Sequence, residues 1–148
     1  MIEGVIITPL DVVNTIGGNV LHGMKSTDQG YSGFGEAYFS TVESGAIKGW
    51  KRHHLMTLNL MVPVGAIRFV IYDDRQNSPS TNKFQQILLS RSENYSRLTI
   101  PPMVWLGFQG REKNTNISWL PRSAWSLRRI VNCRICLLPC ASTIIILA

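Results

Sequence analysis

Short apolar runs bounded by turn residues recur along the chain up to residue 110, and their spacing constrains the fold more than any other feature. The gaps between runs are too short for crossover helices, and no helix-period pattern of useful length precedes residue 115. Two runs, TLNLMV and AIRFVIYD, are apolar on both faces of an extended chain, which is typical of strands inside a sandwich or barrel. The sequence therefore predicts an all-β domain, with strands over residues 4–10, 35–42, 56–64, 66–73, 84–90, 96–102 and 103–110.

Turn residues separate these runs. Residues 26–35, STDQGYSGFG, form a glycine-rich loop, and residues 73–82, DDRQNSPSTN, combine Asp, Asn, Ser and Pro. The pair Pro101-Pro102 lacks two backbone donors, so the preceding strand must end there or lie at an edge.

Charge and length limit the partners that the chain can have. Its 148 residues and 45% hydrophobic content suit one domain with a core of its own. All nine acidic residues lie at or before Glu112, and most of the +6 net charge comes from Lys113, Arg122, Arg128, Arg129 and Arg134. This distribution predicts no nucleic-acid or membrane partner, and an anionic small molecule is sufficient to explain the rest. The sequence shows neither a secretory signal nor an apolar run of about 18 residues, so a cytoplasmic location is expected.

Five basic or titratable side chains precede the apolar run at residue 56. They are Lys48, Lys51, Arg52, His53 and His54. An extended chain here would place Lys51 and His53 on one face and Arg52 and His54 on the other. Two interpretations remain open: a solvated rim that keeps a strand edge from pairing, or two titratable groups that face a cavity. Within the same stretch, Gly49 indicates a turn or a close backbone approach.

Several motifs occur in the order and spacing of one known family. Residues 45–53, GAIKGWKRH, resemble the G-V-x-R-G-x-H element of the dTDP-4-dehydrorhamnose 3,5-epimerase family. GYSGFGE is similar to its Phe-x-Glu segment, VPVGAIRFVIYD to its V-x-x-G-x-V strand pair, and RLTIPPMVWLGF to its I-P-x-G-x-x-H-G-F element. The resemblance covers roughly residues 18–110.

The resemblance implies a fold and a chemistry. The fold is the double-stranded β-helix, a cupin or jelly-roll barrel. The chemistry is proton transfer on a nucleotide-linked 4-keto-6-deoxy sugar, in which a base removes a proton next to the ketone and an acid returns one on the other face. It implies no metal and no cofactor, a homodimer, and a role in cell-surface polysaccharide synthesis.

Carrying the family's residues over one at a time gives the catalytic candidates. The phosphate-side arginine falls on Lys48 and the catalytic histidine on Lys51. A lysine abstracts a proton only as the free amine, so Lys51 would need burial or neighbouring positive charge. Related 3,4-ketoisomerases carry R-G-x-H-x-H here, and the second histidine of that pattern falls on His53. A histidine can act as acid or base near neutral pH, so we expect His53 as the base first and Lys51 second. The alternative for His53 is a hydrogen-bonded wall residue.

The binding residues follow from the same resemblance, but the acid does not, because the segment REKNTNISW, where the family's acid usually lies, contains no tyrosine. Tyr72 is the expected acid, with Tyr38 as the alternative; both are residue types that more often belong to a core or wall. The substrate-binding candidates are Lys48, Arg52, Trp50, Phe34, Glu36 and Trp105, with the two tryptophans expected to stack on the base or the sugar. At the G-F element, Leu106 replaces the family's histidine.

The character of the chain changes after Asn114. No acid follows, all three cysteines appear, and the end STIIILA is apolar and β-prone. We therefore divide the chain into a cupin-like domain, 1–116, and an atypical tail, 117–148, with the hypothesis that the tail is frameshifted or divergent. The barrel would then lack a strand at its C-terminal side. Cys133, Cys136 and Cys140 have the spacing C-x2-C-x3-C, but three thiols without a fourth ligand do not predict a metal centre.

Three functions remain open at the level of sequence. The first is a sugar-nucleotide epimerase, and the second is a 3,4-ketoisomerase of the same fold. The third is a noncatalytic, sugar-binding cupin, which the substitutions at Lys51 and Leu106 favour.

Overall fold

The computed structural model describes residues 1–111 and 141–147, and within these ranges it contains eleven β-strands and no helix. The strands are β1 (Ile6–Pro9), β2 (Val12–Thr15), β3 (Gly18–Leu21), β4 (Ala37–Glu43), β5 (Ile47–Arg52), β6 (Leu58–Val64), β7 (Ala66–Tyr72), β8 (Phe84–Ser90), β9 (Ser96–Ile100), β10 (Trp105–Arg111) and β11 (Ala141–Leu147). None of the described segments is a helix with the length and apolar character needed to cross a membrane.

Two antiparallel sheets face each other. The larger has the strand order β1-β9-β6-β11-β4, and the smaller has the order β5-β10-β7-β8. Strands β2 and β3 form a separate hairpin. Strands β4 and β5 are consecutive in the chain but lie at the edges of different sheets. The connection is held at Gly110, which accepts a hydrogen bond from Gly45 N–H (3.0 Å) and donates one to the carbonyl of Ala46 (3.1 Å).

The core lies between the two sheets. In β7, Ile67, Phe69 and Ile71 point inward and are fully buried, because alternate residues of a strand face opposite sides. Strands β6 and β7, the two runs predicted to be apolar on both faces, each lie between two neighbouring strands, and five consecutive residues of each are buried. The all-β prediction is confirmed, and β9 ends at Ile100, directly before the two prolines.

The loop over residues 73–82 is organised around the buried carboxylate of Asp73. Arg75 donates to it from Nε (2.8 Å) and Nη2 (2.9 Å), and the hydroxyls of Ser78 and Ser80 donate to it at 2.6 Å. These hydrogen bonds, that of Arg75 above all, hold the pKa of Asp73 well below its usual range, although burial acts in the opposite direction. The N-terminus is tied to the same loop through Glu3, whose N–H donates to Ser80 Oγ (2.8 Å).

The tail contributes a strand to the larger sheet. Strand β11 pairs with β4 along its whole length and with β6 on its other side. The expectation that the barrel lacks a strand at its C-terminal side is therefore wrong, because β11 occupies the position between β4 and β6. The hypothesis about the origin of the tail stays a prediction, and the three cysteines lie outside the described residues.

Candidate active site

Strand β5 separates the basic cluster into two faces. Lys51 pairs with Leu106 of β10, which belongs to the core, whereas Arg52 pairs with Trp105, which lies on the opposite face of the sheet. Paired residues in an antiparallel ladder share a face, so Lys51 faces the space between the sheets and Arg52 faces away from it. Lys51 is exposed, which places it at the open edge of that space. The alternation expected for Lys51 and Arg52 is confirmed.

His53 follows directly after β5 and is half-buried, whereas His54 is exposed. The carbonyl of His53 accepts the N–H of Met103 (2.8 Å), which holds this residue beside the start of β10. If the strand alternation continues for one more step, His53 shares the face of Lys51.

A register shift in β10 brings Lys48 to the same inner face. The shift lies between Leu106 and Phe108, and Lys48 pairs with Phe108, another core residue. It depends on Gly49, because a Cβ atom there would lie 2.8 Å from the Cα of Gly107. The sequence prediction of a close backbone approach at Gly49 is confirmed.

The ammonium group of Lys48 connects the two sheets at their adjoining edges. It donates to the carbonyl of Thr41 on β4 (2.7 Å) and lies 3.4 Å from Ser40 Oγ. Neither partner carries charge, and no carboxylate of residues 1–111 or 141–147 forms an ion pair with it. Its positive charge is therefore available to an anionic ligand at this edge.

Tyr38 lies on the inner face of β4. Val42, four residues further along the strand, shares this face and belongs to the core. Tyr38 also pairs with Ile146 of β11, another core residue. Burial, and secondly the negative charge of Glu36, raise the pKa of the Tyr38 hydroxyl. A tyrosine hydroxyl is protonated at neutral pH even without this shift, so Tyr38 has a proton to donate. Sequence reasoning had named Tyr38 only as the alternative acid.

The expected acid, Tyr72, lies on the wrong face. It pairs with Trp105, so its side chain points away from the face that carries Lys51. Its ring stacks on Phe84 (4.4 Å between centroids), and its hydroxyl donates to Asn82 Oδ1 (3.1 Å). The expectation that Tyr72 faces the same cavity as Lys51 is wrong, because a strand sequence gives the alternation of faces but not which face turns inward.

Three of the binding candidates also lie on this outer face. Arg52 forms an ion pair with Asp74 (3.1 Å), and its guanidinium carbon lies 4.7 Å from the ring centroid of Trp105. Trp105 donates from Nε1 to the same carboxylate (2.8 Å), and Trp50 is buried against Val70. Arg52, Trp50 and Trp105 therefore do not share a face with Lys51. The sequence contained no signal that Asp74 would be the common partner.

Phe34 and Glu36 lie on the segment that leads into β4, and both are exposed. Phe34 lines a cavity of about 200 Å³ together with Lys25, Tyr31 and Asn59. The neighbours of Asn59 in β6, Leu58 and Leu60, face the core, so Asn59 faces the other side. This cavity therefore lies on the outer face of the larger sheet. The cavity and the contacts of Lys48 with β4 were not anticipated from the sequence.

Within residues 1–111 and 141–147, no three His, Cys, Asp or Glu side chains come together in a way that could hold a metal ion.

Known proteins share this fold. A dTDP sugar isomerase from Desulfovibrio desulfuricans G20 superposes with a TM-score of 0.77 and 32% sequence identity, over 99% of this chain and 76% of that one. A dTDP-4-dehydrorhamnose 3,5-epimerase from Bacillus anthracis, solved with TDP and PPi bound, gives a TM-score of 0.68 at 16% identity, over 97% of this chain and 71% of that one. The second likeness shows the fold alone.

A curated sequence is also similar. A probable low-salt glycan biosynthesis epimerase of Haloferax volcanii is 31% identical over 74 residues, which are 49% of this chain and 47% of that protein. The match thus spans about half the length of the curated relative. No protein-family model matches the chain.

Two antiparallel sheets around an apolar core, together with the superposition on the Desulfovibrio protein, assign the chain to the cupin fold. Within that class, the chain belongs to the family of dTDP-sugar epimerases and isomerases, as its similarity to the Desulfovibrio protein over nearly its whole length shows.

Proposed function

We propose that the protein is an epimerase that acts on a nucleotide-linked 4-keto-6-deoxy sugar. The observation that carries the proposal is the shared inner face of Lys51, Lys48 and Tyr38, at the edges where β4 and β5 adjoin, in a chain of this family. The ketone of such a substrate acidifies the neighbouring carbon, so proton transfer by side chains is sufficient for the reaction.

The first step in this proposal is removal of a proton from the carbon next to the ketone. His53 is the first candidate for the base, since a histidine accepts a proton near neutral pH without help from a neighbour. Lys51 is the second candidate and would act as a free amine. The electron pair left on the carbon moves into the ketone, which becomes an enolate.

The second step returns a proton to the same carbon from the opposite face, which inverts the centre and restores the ketone. Tyr38 suits this role because it lies on the inner face and a tyrosine hydroxyl is protonated at neutral pH. In the proposal, Lys48 neutralises the pyrophosphate of the nucleotide, since its ammonium group contacts the neutral groups of Thr41 and Ser40 and forms no ion pair within residues 1–111 and 141–147.

A 3,4-ketoisomerase is the second candidate. One observation favours it: the second histidine of the R-G-x-H-x-H pattern of ketoisomerases falls on His53. It would remove the same proton, transfer the proton of the hydroxyl on that carbon to the ketone oxygen, and place a proton on the former ketone carbon, so that the ketone moves by one position.

Incorporation of solvent deuterium into a dTDP-4-keto-6-deoxy sugar tests the proposal. Deuterium should enter the carbon next to the ketone, and product NMR should show an inverted centre for an epimerase or a moved ketone for an isomerase. The variant His53→Asn should lose exchange by ~10²- to 10⁴-fold. His54→Asn, at the exposed neighbouring position, is the matched control and should keep wild-type exchange. Ligand binding without any deuterium entry would instead support the noncatalytic sugar-binding cupin.

The assembly state stays a prediction, as does the cytoplasmic location. We propose a homodimer, which light scattering on the purified chain can test. A monomer at micromolar concentration would contradict it.

A further inference from the structure

Arg97 is fully buried on the outer face of the larger sheet, far from the polar groups at the β4 and β5 edges. It alternates along β9 with Leu98 and Ile100, which face the core. A buried guanidinium is costly unless its donors are satisfied, so the contacts of Arg97 need an explanation.

Its contacts all lie on one distant segment. Nη1 donates to the carbonyl of Gly23 (2.9 Å) and to Asp28 Oδ2 (2.8 Å), and Nη2 donates to the carbonyl of Gln29 (3.0 Å). These partners are 68 to 74 residues away in the chain. One buried side chain thus holds the first half of a loop, residues 22–36, that contains no regular strand.

Asn59 and Thr99 extend this contact. Asn59 Nδ2 donates to the carbonyl of Gly30 (3.2 Å), and its Oδ1 accepts the hydroxyl of Thr99 (2.7 Å). Gly30 has a φ of +88°, and a Cβ atom there would lie 2.8 Å from Thr99 Oγ1. We refer to Arg97, Asn59 and Thr99, with their contacts to residues 23–30, as the Arg97 clamp.

The clamped segment leads directly to the cavity of about 200 Å³. Tyr31 donates its N–H to the carbonyl of Asp28 (3.1 Å), and Tyr31, Gly33 and Phe34 line the cavity together with Asn59. Asn59 therefore belongs to both the clamp and the cavity wall. Any displacement of the segment from Arg97 would move Phe34 and the chain that leads through Glu36 into β4.

We infer that Arg97 is a positioning residue for substrate binding: it holds the segment that carries Phe34 and Glu36 and thereby sets the affinity for the nucleotide sugar. This inference rests on the proposed function. Arg97 has no direct role in proton transfer, because it lies on the outer face of the sheet, so its replacement should change KM far more than kcat.

The test uses the full chain with three variants. Arg97→Lys keeps a positive charge opposite Asp28 but cannot form the three-point contact. Asp28→Asn, whose side chain is partly exposed, weakens the clamp without removing the buried guanidinium and serves if Arg97→Lys fails to fold. Arg91→Lys, at an exposed turn position, is the matched control.

Steady-state kinetics and amide hydrogen exchange are the two readouts. For Arg97→Lys we expect KM for the dTDP-4-keto-6-deoxy sugar to rise about tenfold with kcat within twofold, and exchange of amides 24–36 to rise about tenfold while β7 stays protected. Asp28→Asn should show the same pattern at smaller size. Unchanged loop exchange, or a loss of kcat with unchanged KM, would overturn the inference. A wild-type chain that binds no dTDP-sugar would instead overturn the proposed function, and loop exchange would still decide whether the clamp exists.

Discussion

Replacing Gly49 with alanine tests whether the register shift in β5 and β10 builds the site. The added Cβ would lie 2.8 Å from the Cα of Gly107, a backbone atom that cannot rotate away. Carbon atoms pack best at about 3.5 to 4.0 Å, so the strands must separate by about 0.7 Å or more. Overpacking of this kind costs about 1–3 kcal/mol, which for a chain of this size lowers the melting temperature by about 2–12 °C.

The same separation would move Lys48 and Lys51, the two lysines that flank Gly49 on the inner face. A misplacement of about 1 Å can reduce turnover about 10²-fold, so Gly49→Ala should lose activity even at temperatures where it is fully folded. Calorimetry and deuterium incorporation at 20 °C measure the two effects separately. Gly23→Ala is the control for stability alone, because its Cβ would meet only the flexible side chain of Met61 at 3.5 Å. Wild-type stability and turnover in Gly49→Ala would refute this reasoning.

Three further predictions concern single residues. Tyr38→Phe removes the proposed acid and should lower turnover by ~10²-fold or more with an unchanged fold, measured by product NMR and circular dichroism. Arg52→Gln should lower the melting temperature but leave KM within twofold, since Arg52 points away from the inner face; a large KM increase in steady-state assays would contradict this. The pKa of Asp73 is lower in the folded state, so its contribution to stability is full above about pH 4 and is lost as pH falls through the folded value. Asp73→Asn should lower the free energy of unfolding by about 3 kcal/mol at pH 7. In urea titrations from pH 2 to 7, the variant should lose less stability at acid pH than the wild type, and an equal loss in both would contradict the prediction.

Local pattern was enough to predict the central strands. β6 and β7 are apolar on both faces, and a strand of that kind is typically central in a sheet whose two faces are both covered. The close approach at Gly49 was also predictable, because glycine between bulky residues usually marks a backbone contact. The hairpin β2–β3 was missed, although Gly17-Gly18 between two apolar pairs is a recognisable turn signal.

Features that depend on distant partners could not be predicted. β11 pairs with β4 about a hundred residues earlier, and its composition gives β-propensity but not a partner. Nothing in the sequence around Arg97 indicates that it pairs with Asp28, which lies 69 residues earlier in the chain. The inward or outward direction of Tyr72 and Tyr38 depends on which strand face meets the other sheet, and pairing register decides this.

A crystal structure with a bound dTDP-4-keto-6-deoxy sugar or its unreactive analogue would test the central claim most directly. We predict the sugar ring between the two sheets, with the carbon next to the ketone about 3–3.5 Å from His53 or Lys51, and Tyr38 on the opposite side of the ring. A sugar ring bound on the outer face of the smaller sheet, beside Trp105 and without contact to these three residues, would contradict the account.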